Sequence, residues 1–351
     1  MNRFKKLLVL IALASAAMLL SAAVLAAPVM YPPTGPVRVI QTQAPTATPA
    51  SPAQPCDFMR ADLAGSNAAV VERLLSAWGF KYFKPDGKWT EEDAYELKLF
   101  QRWAGRKLTG AFDLSTRKSL MLAWQDWGES KITRDKLPLE GRYIGINPGH
   151  QKKGNYDTER ESPETGSALK AKVTSGTQGV SSRVPEYVVT LQVGLKLRDK
   201  LEAMGARVLM ARTTHEVNIS NGERARAMNT AGVHVYLSLH CDGNNNHSIA
   251  GIHTIMPAKR GYQAGDVLTR SQKFAALIQA ESLKGTGAID KGYYARSDLS
   301  SLNWAKMPTC LIEMGYMTNV AEDKKLVTSA YQDKLAQAMA KAIQRYFEEQ
   351  G

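Results

Sequence analysis

Three short apolar segments of this chain each carry, at or near their end, a residue that can bind a metal ion or transfer a proton. Tyr143–His150 and Val233–His240 both end at a histidine, and Pro308–Gly315 carries Glu313 near its end. Apolar runs bounded by turn residues are typical of buried strands. Because α/β sheets place their working groups just past the carboxyl ends of strands, we expect the two histidines and Glu313 to converge.

The segment around these runs, from Arg142 to the end of the chain, alternates between strand and helix patterns. Periodicity predicts strands at 143–147, 206–211, 233–239, 251–256 and 309–313, and helices at 186–204, 221–231, 267–283 and 328–348. Such alternation indicates an α/β domain at 142–351, with a mostly parallel sheet and helices on both faces.

Glu186 is the candidate for a third site residue. It lies in the predicted first turn of the helix at 186–204, after Ser182 as a potential cap and Pro185. The preceding polar insert, Gln151–Arg183, offers three competing acids: Glu159, Glu161 and Glu164. We prefer Glu186 because a helix terminus holds a ligand more rigidly than a loop does.

The amino terminus is typical of an export signal. Basic residues precede a long apolar run that ends at Val24-Leu25-Ala26, which predicts a cleaved signal peptide at 1–27. An uncleaved membrane anchor is the alternative, since the run is long enough to span a bilayer. Removing Arg3, Lys5 and Lys6 lowers the formal charge from +12 to +9 (12 − 3), still strongly basic. The Pro-, Thr- and Ala-rich segment 28–55 is predicted to be an extended spacer.

Residues 56–127 are predicted to form a small all-α domain of three helices. Apolar spacing places the first helix at Asn67–Trp78, a second begins after Thr90 as N-cap, and a third begins near Thr116. A polar linker is expected at 128–141. Three cysteines are too few for a disulfide scaffold, and Cys241 and Cys310 are expected to be buried thiols.

The small helical domain resembles the peptidoglycan-binding module of the PG_binding_1 type. The resemblance covers nearly the whole domain and rests on Leu74-Leu75, Gly79-Phe80, Asp86-Gly87, Phe100-Gln101, Leu108-Thr109-Gly110, Asp113, Thr116 and Leu120. It implies binding to the cell wall. Lys88-Trp89 departs from the family pattern, in which an aromatic residue is followed by glycine. A helical spacer without a ligand is the alternative.

The second domain resembles the zinc-dependent N-acetylmuramoyl-L-alanine amidases of the Amidase_3 family. The matching motifs are Ile146–His150, Glu186 at the start of a long helix, Leu237–His240 and Lys306–Asn319. The resemblance implies that His150, Glu186 and His240 bind Zn²⁺ and that Glu313 is the catalytic carboxylate. The implied reaction is hydrolysis of the amide between N-acetylmuramic acid and L-alanine, through a zinc-activated water.

We therefore expect a secreted wall hydrolase that acts in the cell wall, extracellular space or periplasm. Its expected partner is peptidoglycan, both glycan strand and stem peptide, with no nucleic acid, no stable membrane insertion after signal cleavage, and a monomeric state. Two alternatives stay open: a zinc peptidase that cuts within the stem peptide, and a wall-binding protein without activity. Of the other histidines, only His253 is a candidate to reach the site.

Overall fold

The structure, a computed structural model, describes residues 66–81, 84–132 and 134–350. The predicted signal peptide at 1–27 and spacer at 28–55 lie outside the described residues, as does Cys56. No helix within the described ranges combines the length and the apolarity needed to cross a membrane. Cys241 and Cys310 are buried free thiols, as predicted.

Within residues 66–132 of the described chain, three helices precede the sheet: α1 (Ser66–Ala77), α2 (Glu91–Trp103) and α3 (Leu114–Trp127). Thr90 caps α2 as predicted, and its side chain and that of Asp93 form a reciprocal capping box. The helices share a core in which Trp78 stacks on Phe100 with ring centroids 5.6 Å apart. This core is separate from that of the sheet.

The segment predicted as a linker, 128–141, is packed at both ends. Ile132 belongs to the core of the three helices, whereas Leu139 belongs to the core of the sheet. Between them the guanidinium of Arg134 bonds to the carboxylate of Glu140 at 2.7 Å. The segment therefore follows a defined path from one core to the other.

The central sheet has six strands, and four of its five strand pairings are parallel, as predicted. Its strands are β1 (Tyr143–Pro148), β4 (Arg207–Met210), β5 (Val235–Asp242), β6 (Ile252–Pro257), β7 (Asp290–Arg296) and β8 (Thr309–Tyr316), and a separate hairpin pairs β2 (Asn155–Arg160) with β3 (Leu169–Val173). The order of the strands in the sheet is β4-β1-β5-β8-β6-β7, in which only the β6–β8 pairing is antiparallel.

Helices cover both faces of the sheet, as the alternating pattern predicts. Alternate residues of β5 point to opposite faces: Leu237 lies in the large core, and Tyr236 lies in a smaller one. The helices are α4 (Glu186–Ala203), α5 (Asn221–Ala231), α6 (Gly265–Thr286), α7 (Ser300–Asn303), α8 (Val320–Leu326) and α9 (Ser329–Glu348). Helices α4, α6 and α9 pack on the large core, and α5 packs on the smaller one.

Several elements differ from the sequence prediction. The insert Gln151–Arg183, expected to be a loop, contains the β2–β3 hairpin, and β7 forms the edge strand beyond β6. β2 and β7 are largely exposed and lack the apolar alternation that would identify a strand. β3 has a short alternation, Leu169-Lys170-Ala171-Lys172-Val173, which was not predicted as a strand. Ser182 does not cap α4. Its hydroxyl donates to Asp323 at 2.5 Å, and Pro185 is the N-cap residue without a side-chain bond.

Candidate active site

His150 follows the end of β1 in a left-handed backbone conformation, with φ of 58°. Its Nδ1 lies 2.9 Å from the carbonyl oxygen of Thr174. Since a carbonyl oxygen only accepts hydrogen bonds, Nδ1 carries the proton and Nε2 is left with a free lone pair. The insert therefore fixes which nitrogen of His150 faces the cavity.

Two buried arginines hold the backbone that leads into His150. Arg224 donates to the carbonyl oxygens of Pro148 and His150, each at 2.9 Å, and Arg212 donates to that of Gly149 at 2.9 Å. Burial lowers the pKa of Arg224 to about 10, so its guanidinium remains charged at neutral pH. These bonds fix the path of the backbone between β1 and His150, and the Thr190 hydroxyl also donates to the carbonyl oxygen of Gly149 at 2.9 Å.

Glu186 is the first residue of α4 and is almost fully buried. Its Oε1 accepts from the backbone N–H of Cys241 at 3.0 Å, and its Oε2 accepts from the N–H and hydroxyl of Thr177 at 2.8 and 3.1 Å. The positive end of the helix dipole further favours a carboxylate here. The carboxylate is therefore held in one orientation from both sides.

His150, Glu186 and His240 bring one potential ligand atom each to a common point, with these atoms within 4.8 Å of one another. Nε2 of His150 lies 3.1 Å from Nδ1 of His240. Glu186 Oε1 is 3.0 Å from His240 Nδ1, and Glu186 Oε2 is 3.2 Å from His150 Nε2. Among the described residues this is the group of three His, Cys, Asp or Glu side chains arranged to hold a metal ion.

Two glycines make this convergence sterically feasible. A Cβ at Gly149 would lie 2.4 Å from the ring of His240, and one at Gly176 would lie 2.6 Å from Glu186 Oε2. Gly176 also has a φ of 81°, which side chains rarely adopt. Both positions therefore require glycine for the three side chains to meet.

Glu313 lies on β8 beside His240 of β5 and lines the same cavity of about 280 Å³. It is not one of the three clustered side chains. Its Oε2 is buried without a hydrogen-bond partner among the described residues. A buried carboxylate oxygen that faces a cavity without a protein partner is available to a bound reactant.

The electrostatics of the four side chains differ. Burial raises the pKa of Glu313 well above its usual range, and the negative charges of Glu186 and Asp242 act in the same direction. Burial would also raise the pKa of Glu186, but His150 and His240 hold it well below its usual range. Burial lowers the pKa of His240. Burial acts in the same direction on His150, but the Glu186 carboxylate outweighs it, so the pKa of His150 is raised. Glu186 is thus anionic and His240 neutral, the forms in which both bind metals.

The competing acids of the insert lie elsewhere. Glu159 accepts bonds at the start of α5, from the Ser220 hydroxyl at 2.6 Å and the Gly222 N–H at 2.9 Å. Glu161 pairs with Lys170 at 3.0 Å, and Glu164 pairs with Arg260 at 3.2 Å. None of the three lines the cavity.

Two other polar features lie outside the three-residue cluster. The polar segment Asp298–Asn303 does not line this cavity, and Asp298 pairs with Arg296 and Lys170. His253 lies beside Glu313 in the β6–β8 pairing, and its Nε2 is 3.6 Å from Asp242, a cavity residue. His253 thus contacts the border of the site.

Sequence reasoning missed the residues that hold the ligands. Thr174 and Thr177 belong to the insert, where no periodic pattern marks them, yet both line the cavity. Arg212 and Arg224 are almost completely buried, and nothing in their sequence positions indicates this. Buried arginines near a strand end are a useful signal, because a charge so placed needs several acceptors.

The fold and site together define an α/β enzyme domain with a candidate metal centre at the carboxyl edge of its sheet. The model of the Amidase_3 family, N-acetylmuramoyl-L-alanine amidase, matches residues 144–345. The N-acetylmuramoyl-L-alanine amidase Rv3717 of Mycobacterium tuberculosis is 30% identical over 217 residues, which cover 61% of this chain and 89% of that protein.

Solved structures agree with this match. The apo form of the N-acetylmuramyl-L-alanine amidase Ami1 from Mycobacterium abscessus is 26% identical, covers 60% of this chain and 100% of its own, and has a TM-score of 0.54. Ami1 from Mycobacterium smegmatis shares the fold at 24% identity and a TM-score of 0.54, covering 60% of this chain and 99% of its own.

The chain belongs to the N-acetylmuramoyl-L-alanine amidase family. The predicted amidase activity and the predicted peptidoglycan substrate are confirmed at this level.

Proposed function

We propose that the chain is an exported, zinc-dependent enzyme that cleaves the amide between N-acetylmuramic acid and the L-alanine of the stem peptide. His150, Glu186 and His240 would hold the zinc ion, and Glu313 would transfer the proton. The observation that carries the proposal is the convergence of three ligand atoms from β1, α4 and β5. Glu313 faces the same cavity.

The donor set fits zinc in type and in spacing. Catalytic zinc takes three nitrogen or oxygen ligands and keeps one position open. Ligand atoms about 2.0–2.1 Å from a tetrahedral zinc are roughly 3.3 Å from one another. Nε2 of His150 lies 3.1 Å from Nδ1 of His240, and the two oxygens of Glu186 lie 3.0 Å from His240 Nδ1 (Oε1) and 3.2 Å from His150 Nε2 (Oε2). The bonds from Thr174 and Thr177 hold the ligands in place from outside, as metal sites generally require.

A zinc ion bound there supplies an acidified water and polarises the amide carbonyl. The side chain of Glu313 accepts the proton of the attacking water and passes it to the leaving amine. Burial raises the pKa of Glu313, which suits this exchange because a more basic carboxylate accepts a proton more readily. Its unpartnered Oε2 is the atom we assign to the proton.

We further propose the surrounding organisation from the sequence. A signal peptide at 1–27 and a spacer at 28–55 would export the enzyme and extend it from the membrane. The helices of residues 56–127 would bind peptidoglycan and raise the local substrate concentration for the domain at 142–351, across the linker at 128–141. The enzyme would act as a monomer in the cell wall or periplasm.

Digestion of purified peptidoglycan tests the proposed reaction. We expect new L-alanine amino termini without new reducing sugar ends, and we expect a chelator to stop their release. Mass spectrometry of the fragments identifies the bond. Release of other amino termini would instead identify a peptidase that acts within the stem peptide.

A matched variant separates chemistry from binding. Glu313→Gln keeps the shape and the metal ligands but removes the proton acceptor. We expect it to bind zinc and wall as the parent does and to release no L-alanine termini. Loss of wall binding in this variant would point to misfolding, and full activity would remove Glu313 from the reaction.

A further inference from the structure

A second cavity, of about 460 Å³, lies between helices α4, α6 and α9. Lys200, Lys284, Lys334 and Lys341 line it, and Gly285 and Ala338 are among its apolar lining residues. We call it the lysine groove. Lys200 comes fourteen residues after Glu186 on α4, which places it roughly 21 Å along the helix from the candidate metal site. The two cavities share no residue.

Small residues bring two of the helices together beneath the groove. A Cβ at Gly285 would lie 2.7 Å from the Cβ of Ala338, so α6 and α9 approach more closely than larger side chains would permit. The long lysines stand beside this contact, with Lys284, Lys334 and Lys341 exposed. The groove therefore has an apolar floor and cationic walls.

The acids near the groove already have cationic partners. Glu281 pairs with Arg345 at 2.7 Å and with Lys341 at 3.7 Å, and Asp333 pairs with Lys196 at 2.9 Å. The other three groove lysines are Lys200, Lys284 and Lys334. They form no ion pair with any residue in the described ranges. The groove lining contains four lysines and two acids, which gives it a net charge of +2 (4 − 2).

Helix stabilisation does not account for this charge. Lys200 and Lys284 lie in the last turns of α4 and α6, where a cation offsets the helix dipole. Lys334 and Lys341 lie inside α9, which spans Ser329–Glu348, so the dipole gives no reason for either of them. They are seven residues apart, or roughly 10 Å along the helix, a span longer than a single small anion.

We propose that the lysine groove binds an anionic wall polymer through its phosphodiester groups. Ammonium groups bind phosphate as point charges, and a row of them fits a chain of phosphates better than one free ion. Membership of a family of peptidoglycan amidases makes a polymer of the cell wall a suitable partner, and the cationic lining complements a polyanion. The site would hold the enzyme on the wall independently of the cleft, so it does not depend on the proposed zinc chemistry.

Binding of fluorescently labelled poly(glycerol phosphate) to the full chain tests the proposal. The test variant is Lys200→Gln, Lys284→Gln, Lys334→Gln. The control variant, Lys259→Gln, Lys324→Gln, Lys325→Gln, removes the same charge from exposed lysines outside the groove. We expect the test variant to bind at least about tenfold more weakly and to lose about one unit of salt slope per lysine. We expect the control variant to bind like the parent.

Three results would overturn the proposal: unchanged binding in the test variant, equal losses in both variants, or equal displacement of the polymer by inorganic phosphate at matched phosphate concentration. The second would mean attraction by overall charge, and the third a site for a single ion. Hydrolysis of a small soluble muramyl-peptide should be the same in all three proteins. That control separates lost binding from lost folding, and it separates the groove from the amidase reaction.

Discussion

Nε2 of His150 and Nδ1 of His240 lie 3.1 Å apart, although ninety residues separate them in the chain. His150 follows β1, and His240 lies near the carboxyl end of β5. These two strands are neighbours in the sheet. Two imidazole nitrogens held this close, with the Glu186 carboxylate beside both, form a site that a cation would stabilise.

Glu313→Gln should reduce kcat by about 10²- to 10⁴-fold, the usual contribution of a positioned proton-transfer group. Zinc content should stay at the parental level, because Glu313 is not one of the three clustered side chains. Initial rates on soluble muramyl-peptide, measured together with metal analysis, check both statements. A variant that loses zinc along with activity would make Glu313 a ligand instead.

Arg224→Lys should weaken zinc affinity by about 10- to 100-fold, since groups that orient ligands typically contribute that much. The parental guanidinium bonds to the carbonyl oxygens of Pro148 and His150 at once, and an ammonium lacks this planar fork. Competition with a fluorescent chelator measures the affinity. Lys324→Arg, at an exposed lysine, serves as a surface control. A zinc affinity of Arg224→Lys equal to that of the parent would refute the positioning role of Arg224.

Tyr95→Phe should lower the free energy of unfolding by about 1–3 kcal/mol. The buried hydroxyl of Tyr95 donates to the carbonyl oxygen of Gly205 at 2.9 Å and accepts from the N–H of Gly141 at 2.8 Å. Removing the hydroxyl takes this partner from the carbonyl of Gly205 and from the N–H of Gly141, at the place where α2 meets the sheet domain. Urea unfolding measures the change. Tyr156→Phe, at a side chain 67% exposed, should change little, and equal stability of both variants would contradict the prediction.

Lys81→Met should destabilise the region of the three helices by about 3 kcal/mol at neutral pH, because two buried carboxylates lose their cation. The ammonium of Lys81 bonds to Asp93 and, at 2.9 Å, to Glu96, and all three side chains are almost fully buried. Lys118→Met on the exposed surface of α3 is the matched control. Hydrogen exchange of α2 amides and urea unfolding measure the loss.

The same substitution should cost less in acid. Burial alone would raise the pKa of Asp93, but Lys81 and Thr90 lower it below 3.8. The stabilisation from the Lys81–Asp93 pair is therefore fully present above pH 3.8 and disappears as the pH falls through the lowered pKa of Asp93. The pKa of Lys81 is raised above 10.5, so its contribution is present below that pH and is lost in alkali. A difference between parent and Lys81→Met that grows in acid would have the wrong sign.

The sequence predicted the elements whose apolar residues face the core. The strands that carry His150, His240 and Glu313, and the helix that begins at Glu186, all lie within a few residues of their predicted positions. Each is buried on at least one face, so its pattern of apolar residues follows its geometry. The mixed strand order could not be predicted, because β6 pairs antiparallel to β8 through contacts distant in sequence.

The exposed elements and the contacts around the ligands could not be predicted from the sequence. β2 is polar and β7 is mostly exposed, so neither has a buried face to shape its sequence. β3 alternates apolar residues with lysines over only five residues, too short a run to stand out within the polar insert. The carbonyl of Thr174 acts on His150 through its backbone, which no side-chain pattern can reveal. The ligand roles themselves, and the base role of Glu313, stay predictions.

The most direct test of the account is anomalous diffraction at the zinc edge from crystals of the purified, zinc-loaded protein. We expect one strong peak about 2.0–2.2 Å from His150 Nε2, His240 Nδ1 and an oxygen of Glu186. A peak at another group of residues, or no peak between these three side chains, would contradict it.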